Sequence, residues 1–75
     1  MQRYFFDRVS RARSEFDYRG CVLANVASAT EMAELLAIEL ALDPENEWRG
    51  WAIKVRNAIG EHFATVQVQE LDSVA

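Results

Sequence analysis

The chain has 75 residues, of which 51% are hydrophobic and 27% are charged, and its formal net charge is −4. This length supports a single domain covering residues 1–75, and the composition is typical of a folded globular protein and excludes an intrinsically disordered one. The negative charge balance argues against binding to a phosphate backbone, so we do not expect nucleic acid as a partner.

The sequence also predicts the compartment in which the protein works. Its one cysteine, Cys21, excludes an internal disulfide and fits a reducing environment. Charged residues interrupt every apolar run near the N-terminus, which is not the pattern of a signal peptide. No run approaches the roughly 18 apolar residues of a membrane span. We therefore expect a cytoplasmic protein without membrane association.

Two strands are predicted in the first twenty residues. The segment 3–8 is aromatic and β-favouring, with Tyr4 and Phe6 on one face and Phe5 on the other. The segment 14–18 alternates aromatic and acidic residues, as a second strand would. Between them no Gly, Pro, Asn or Asp specifies the turn, so the register of this first hairpin stays open.

The longest helical periodicity in the chain runs from Asn25 to Leu42. Asn25 is a suitable N-cap residue, and Asp43 ends the helix because a residue before proline disfavours the α conformation. One stripe of small and apolar side chains is expected to face the sheet. This stripe, which we call the inner stripe, comprises Ala29, Met32, Ala33, Leu36, Ala37 and Leu40.

A second apolar stripe lies on roughly the opposite side of this helix. It consists of Leu35, Ile38 and Leu42, which we call the outer stripe, and it runs between glutamates. Residues 26–47 carry six acids and no base. A helix on the surface of a monomer should be polar there, so the outer stripe predicts an interface.

After the helix, two strands are joined by a tight turn. The segment 50–56 alternates apolar and mostly polar residues, the segment 57–60 is a turn with Gly60 available for the left-handed position, and the segment 61–69 is the last strand. We expect residues 71–75 to be a frayed tail. The order β-β-α-β-β predicts an α+β fold: a four-stranded, mainly antiparallel sheet with one helix packed on one face. That layout leaves the second face of the sheet bare, with apolar residues available for it.

Several short motifs resemble a family of small uncharacterised bacterial proteins, a domain of unknown function. They are the opening Arg-Tyr-Phe-Phe at residues 3–6, a Gly-containing connector, a capped Ala/Glu-rich helix, Trp-x-Ile-x-Val at residues 51–55 and a turn ending in Gly60. The resemblance covers most of the chain, supports the fold and implies no active site. The chain departs from the Asp-Gly usual in the family's first hairpin, since it has Ser-Arg-Ala at residues 10–12.

The connector Gly20-Cys21, followed by a capping residue and the same helix, is also similar to antitoxins that carry a degraded ribonuclease-H-like fold. Those domains usually have three strands before the helix, whereas residues 21–23 here are long enough only for a stub of a third. That similarity implies an alternative function, a regulatory domain that masks a small basic partner protein.

Catalytic and metal-binding patterns are poorly supported. As a general base, His62 would need a partner within hydrogen-bond reach, and Cys21 as a nucleophile would need activation. We interpret His62 as a surface residue at a strand edge and Cys21 as a small buried apolar residue. The carboxylates lack the spacing of a calcium loop, and there is no glycine-rich phosphate loop. The sequence predicts no enzyme, no cofactor and no metal.

Arginines crowd the first hairpin, at Arg8, Arg11 and Arg13, with aromatic residues nearby. That combination is also found on single-stranded nucleic-acid platforms, but the neighbouring acids would repel phosphate. We interpret these arginines as a solvated hairpin or as a partner for the acidic helix of another subunit.

The apolar content is generous for a chain this short, which favours self-association. We predict a homodimer, with another protein as a possible further partner, formed through the outer stripe or through the bare sheet face. Trp48 lies outside the strand alternation and is a candidate either for the same contact or for capping the end of the helix. The predicted interface residues are Leu35, Ile38, Leu42, Phe5 and Trp48.

Overall fold

In a computed structural model that describes residues 1–43, 48 and 50–68, the chain forms five strands and one helix. The predicted α+β class, with a helix packed on an antiparallel sheet, is confirmed. The predicted tail at residues 71–75 lies outside the described residues. The elements are β1 (Gln2–Val9), β2 (Ser14–Glu15), β3 (Cys21–Leu23), α1 (Val26–Ala41), β4 (Ala52–Asn57) and β5 (His62–Gln67).

The described strands are paired antiparallel throughout, in the order β2-β1-β4-β5, and β3 also pairs with β1. β2 and β3 share one edge of β1: Arg8 lies opposite Glu15 near one end, and Tyr4 lies opposite Cys21 near the other. The middle of that edge is therefore left without a strand partner. The other edge of β1 pairs with β4 along most of its length.

The second predicted strand is the main difference from the sequence expectation. It was expected to continue to Tyr18, but β2 ends at Glu15, and the residues of the connector, Cys21–Leu23, form the additional strand β3. The cause is Asp17, whose Oδ2 accepts a hydrogen bond from the backbone N–H of Phe6 at 3.1 Å. A side chain thus takes the place of a strand there, and the aromatic side chains of Phe16 and Tyr18 are exposed.

Helix α1 has the termini and the buried stripe that the sequence predicts. Asn25 is the N-cap, and its side-chain oxygen accepts a hydrogen bond from the N–H of Ser28 at 2.9 Å. Leu42 is the C-cap, followed by Asp43. The inner stripe is confirmed, since its three alanines are buried and its larger members are half-buried against the core. Small side chains at these positions let the helix approach the sheet closely.

The core lies between α1 and the helix-side face of the sheet. Its largest fully buried side chains are Tyr4, Ile53 and Val55. Trp51 is buried, as predicted, and Val68 closes the core beyond the end of β5. The turn between β4 and β5 also agrees with the sequence. Gly60 adopts a φ of +90°, a backbone conformation that would be strained in a residue with a Cβ atom.

Candidate interaction surface

The outer stripe is exposed along the side of α1 that faces away from the sheet. Leu35 is 59% exposed, Ile38 49% and Leu42 64%. The glutamates of the helix are exposed around them, and the sequence of α1 contains no basic residue. Three large apolar side chains in helical register, framed by charge, form a contiguous ridge rather than scattered surface residues.

The two other predicted interface residues are half-buried and pack against groups of the same chain. Trp48 packs edge-to-face against Trp51 with 4.9 Å between ring centroids, and the Arg8 guanidinium lies 5.0 Å from its ring. Phe5 lies on the sheet face away from the helix, under the Arg56 guanidinium at 4.5 Å. Phe5 is therefore on a different side of the molecule from the outer stripe.

Contrary to the expectation of spare apolar residues, the sheet face away from the helix is mostly polar. Alternate strand residues point to the same face, and the register aligns Phe5 with Arg56 and Asp7 with Lys54. β5 adds Thr65 beside Lys54. Of the two surfaces that the sequence left open for self-association, the sheet face lacks a continuous apolar area.

A cluster of three charged residues, missed in the sequence, closes part of this polar face. The buried Asp7 accepts two hydrogen bonds from Arg56, from Nε at 2.7 Å and from Nη2 at 3.3 Å. Arg56 Nη2 also donates to the backbone carbonyl of Asp17 at 3.0 Å, and the Asp17 N–H donates to Asp7 Oδ1 at 2.9 Å. Asp7 and Arg56 are 49 residues apart, so only the pairing of β1 with β4 reveals the contact.

Asp17 holds the segment after β2 against β1. Its carboxylate accepts hydrogen bonds from the backbone N–H groups of Phe6, Arg19 and Gly20. Partial burial acts to raise the pKa of Asp17, but these backbone hydrogen bonds, with the nearby charge of Arg56, lower that pKa below its ordinary value.

Each member of this cluster is used within the fold. Among the described residues, no buried side-chain nitrogen or oxygen lacks a hydrogen-bond partner. The hydrogen-bonding groups of the cluster are therefore satisfied within the fold.

A groove of about 460 Å³ separates α1 from the segment that follows β2. Its helix wall includes Leu36 and Glu39, and its opposite wall includes Phe16, Tyr18 and Arg19. The helix wall is therefore aliphatic and acidic. The opposite wall is aromatic and carries both basic and acidic residues, since Arg8, Glu15 and Asp17 also line the groove. Sequence reasoning missed this groove because it placed both aromatic residues in a strand.

His62 and Cys21 are far apart in the fold. His62 is exposed on β5, as predicted, and its Nε2 lies 3.0 Å from Thr65 Oγ1. Cys21 is a free, half-buried cysteine on β3 that packs against the core. Strands β1 and β4 lie between β3 and β5, so the two side chains are separated by several strand spacings of about 4.8 Å each.

The described part of the chain contains no group of three or more metal-ligating side chains. No helix in that part is long and apolar enough to cross a membrane. The described residues do carry an exposed apolar stripe on α1 and a groove between α1 and the segment after β2.

Comparison with known protein families agrees with the resemblance seen in the sequence. The model of the family described as a domain of unknown function (DUF6894) matches residues 3–69, and the chain belongs to this family. Neither the curated proteins nor the solved structures include a significant match.

Proposed function

We propose that the protein is a non-enzymatic interaction module that forms a homodimer through the side of the molecule bearing the outer stripe. The observation that carries this proposal is the exposure of Leu35, Ile38 and Leu42 on one side of α1. Burying such a side chain completely from full exposure contributes about 1.5–3 kcal/mol. Covering these partly exposed side chains would therefore stabilise a contact, by a fraction of that amount for each residue.

The size of the molecule is consistent with a second copy as the occupant. A standard interface removes roughly 800 Å² from each partner, and the whole chain exposes 5367 Å². One side of the molecule, including α1 and the segment after β2, can supply an area of that order. A dimer would also compensate for the small core that a domain of this length can bury.

The non-enzymatic part of the proposal is supported by the placement of the reactive side chains. His62 is exposed beside Thr65, and Cys21 lies on the other side of the sheet's central strands. The charged cluster at Asp7 uses its hydrogen-bonding groups within the fold. A general base and a nucleophile must meet within hydrogen-bond reach, which these two do not.

Sedimentation equilibrium tests the proposal directly. We expect the wild-type chain to be a dimer at micromolar concentration, and Leu35→Glu or Ile38→Glu to shift it to a monomer with unchanged circular dichroism. The matched control is Ile59→Glu, because Ile59 is equally apolar and 81% exposed but lies in the β4–β5 turn. A wild-type monomer at high micromolar concentration would overturn the proposal.

A second candidate is an antitoxin-like domain that binds a small basic protein. Two observations favour it: the acidic side of α1 and the short strand β3, which brings the number of strands before the helix to three. Its test is the neighbouring reading frame, which should encode a short basic protein that co-purifies with this chain. An isolated gene would argue against this candidate.

A further inference from the structure

The acidic character of α1 restricts how a second copy can cover the outer stripe. Glu31, Glu34 and Glu39 are exposed on the helix, and its sequence has no compensating base. Two outer stripes packed directly on each other would bring these carboxylates together while removing water from them. Like charges in such positions are destabilising, so the partner copy must present a different surface.

The same molecule carries a surface of complementary chemistry in residues 11–19, which we call the arginine–aromatic segment. Phe16 is 55% exposed and Tyr18 86% exposed, and Arg11 and Arg19 of the same segment are also exposed. Tyrosine and arginine are the residue types most enriched among side chains that dominate binding energy.

The two acids of this segment do not cancel its positive charge toward a partner. Glu15 lies between Arg8 and Arg13, with N–O distances of 3.8 Å and 3.4 Å. Asp17 is occupied by backbone N–H groups and held beside Arg56. Asp17 keeps its negative charge in these hydrogen bonds, but residues 8–19 carry four arginines against these two acids, so the net charge of this part of the surface is positive.

The groove lies between Glu39 of α1 and the arginine–aromatic segment. The outer stripe does not line the groove, but Leu35 and Leu42 neighbour Glu39 on the helix, at positions i−4 and i+3. The acidic helix and the arginine–aromatic segment therefore make this side of the molecule self-complementary. In a twofold dimer each contact occurs twice, because residue i of one copy meets residue j of the other and the reverse. A surface with an acidic aliphatic half and a basic aromatic half matches itself after a twofold rotation. A purely acidic helix surface does not.

On the basis of the proposed self-association, we infer that the dimer is formed by two such reciprocal contacts. The outer stripe of each copy packs on Phe16 and Tyr18 of the other, and the helix glutamates face Arg11 and Arg19. The twofold axis passes near the groove between the two walls. This arrangement gives the otherwise unexplained exposed aromatic side chains an apolar partner.

Charge exchange between the two halves tests this inference. The first variant carries Arg11→Glu and Arg19→Glu, and the second carries Glu34→Arg and Glu39→Arg. We expect each variant alone to lose dimer affinity by on the order of tenfold or more, because both reciprocal contacts then oppose like charges. Mixing the two variants should restore dimerisation, since both contacts in the mixed dimer pair opposite charges. Analytical ultracentrifugation with one variant fluorescently labelled measures each case.

The results separate this inference from the proposed function. A monomeric wild-type chain would overturn both. A wild-type dimer that keeps its affinity in the arginine variant would overturn the inference alone and favour direct packing of the two outer stripes. Tyr18→Ala is a second variant that does not threaten the fold, because Tyr18 is exposed. It should weaken the dimer several-fold with an unchanged melting temperature of the monomer, and an unweakened dimer would contradict the reciprocal contact.

Discussion

The two faces of the sheet are covered by different interactions. On the helix side, Tyr4, Ile53 and Val55 are fully buried under the alanines of α1, and the contact is apolar throughout. On the other side, the buried Asp7 is paired with Arg56, and the segment after β2 is attached to both through hydrogen bonds. The first contact is non-directional, whereas the second depends on the position of each donor and acceptor.

A short chain with one helix thus covers the two faces of its sheet in different ways. The helix uses its small residues on one face, and a charged cluster with a loop closes part of the other. The large apolar side chains that remain exposed include the outer stripe of α1 and Phe16 and Tyr18, besides residues elsewhere such as Val22 and Ile59. Helix α1 and the segment with Phe16 and Tyr18 line one groove, which is why we propose the interface there.

The largest expected effect is the loss of stability when a side chain in the apolar core between the helix and the sheet is truncated. Ile53→Ala should lower the free energy of unfolding by about 4 kcal/mol, because it removes buried methyl groups and leaves a cavity. Ile59→Ala makes the same chemical change at an exposed turn position and should cost less than about 0.5 kcal/mol. Urea denaturation of both variants measures the difference. Equal losses would mean that the core is not where the structure places it.

A substitution in the charged cluster on the other sheet face should lower the free energy of unfolding almost as much. Asp7→Asn should cost about 3 kcal/mol, because it leaves the guanidinium of Arg56 partly buried without its counter-charge. Lys54→Ala changes an exposed charge on the same sheet face and should stay within about 0.5 kcal/mol of wild type. If the two variants unfold at the same urea concentration, the cluster contributes little to the fold.

A smaller effect is expected at Gly20, where the segment after β2 crosses β1. Gly20 has a φ of +71°, and a Cβ atom would lie 2.9 Å from the side chains of Arg3 and Phe5. Gly20→Ala should therefore cost about 2 kcal/mol, from backbone strain and from displaced neighbours. Gly60→Ala is the control for strain alone, since its φ is +90° and no atom lies within 4 Å of the new Cβ. It should cost about 1 kcal/mol, and an equal loss at both positions would remove the argument from close approach.

The smallest expected effect is a pH dependence of the free energy of unfolding that is caused by Asp17 in the charged cluster. The pKa of Asp17 is lower in the folded protein than in the unfolded chain, so the unfolded state binds its proton first. The stabilisation is fully present above about pH 4 and is lost as pH falls through the lowered pKa.

Asp17→Asn should therefore differ most from wild type near neutral pH, and the difference should shrink below about pH 4. Urea denaturation at a series of pH values measures it. Glu15→Gln provides a matched control on a nearby carboxylate that is paired with arginines instead of backbone N–H groups. A difference between Asp17→Asn and wild type that is constant down to pH 2 would contradict the assigned cause.

Much of the helical half of the molecule is predictable from local sequence. The N-cap at Asn25, the inner stripe and the exposure of Leu35, Ile38 and Leu42 follow from one helical period. The turn at Gly60 follows from the preference of glycine for positive φ. These features depend on neighbours within a few residues, so the sequence alone contains the information.

The first hairpin is predicted poorly because its structure depends on distant residues. Alternation of aromatic and acidic residues favours a strand at residues 14–18. Asp17, however, accepts hydrogen bonds from β1 and from Arg56, and these replace strand pairing after Glu15. The groove and the exposure of Phe16 and Tyr18 follow from this deviation.

The sequence by itself determined the α+β class, the helix with its two apolar stripes and the family to which the chain belongs. Only the tertiary structure decided that the second sheet face is mostly polar and that an aromatic segment lies opposite the acidic helix across a groove. The physical reason is that helix periodicity and turn preferences are local. The pairing of β1 with β4, and the cluster of Asp7, Asp17 and Arg56 that it assembles, joins residues up to 49 positions apart.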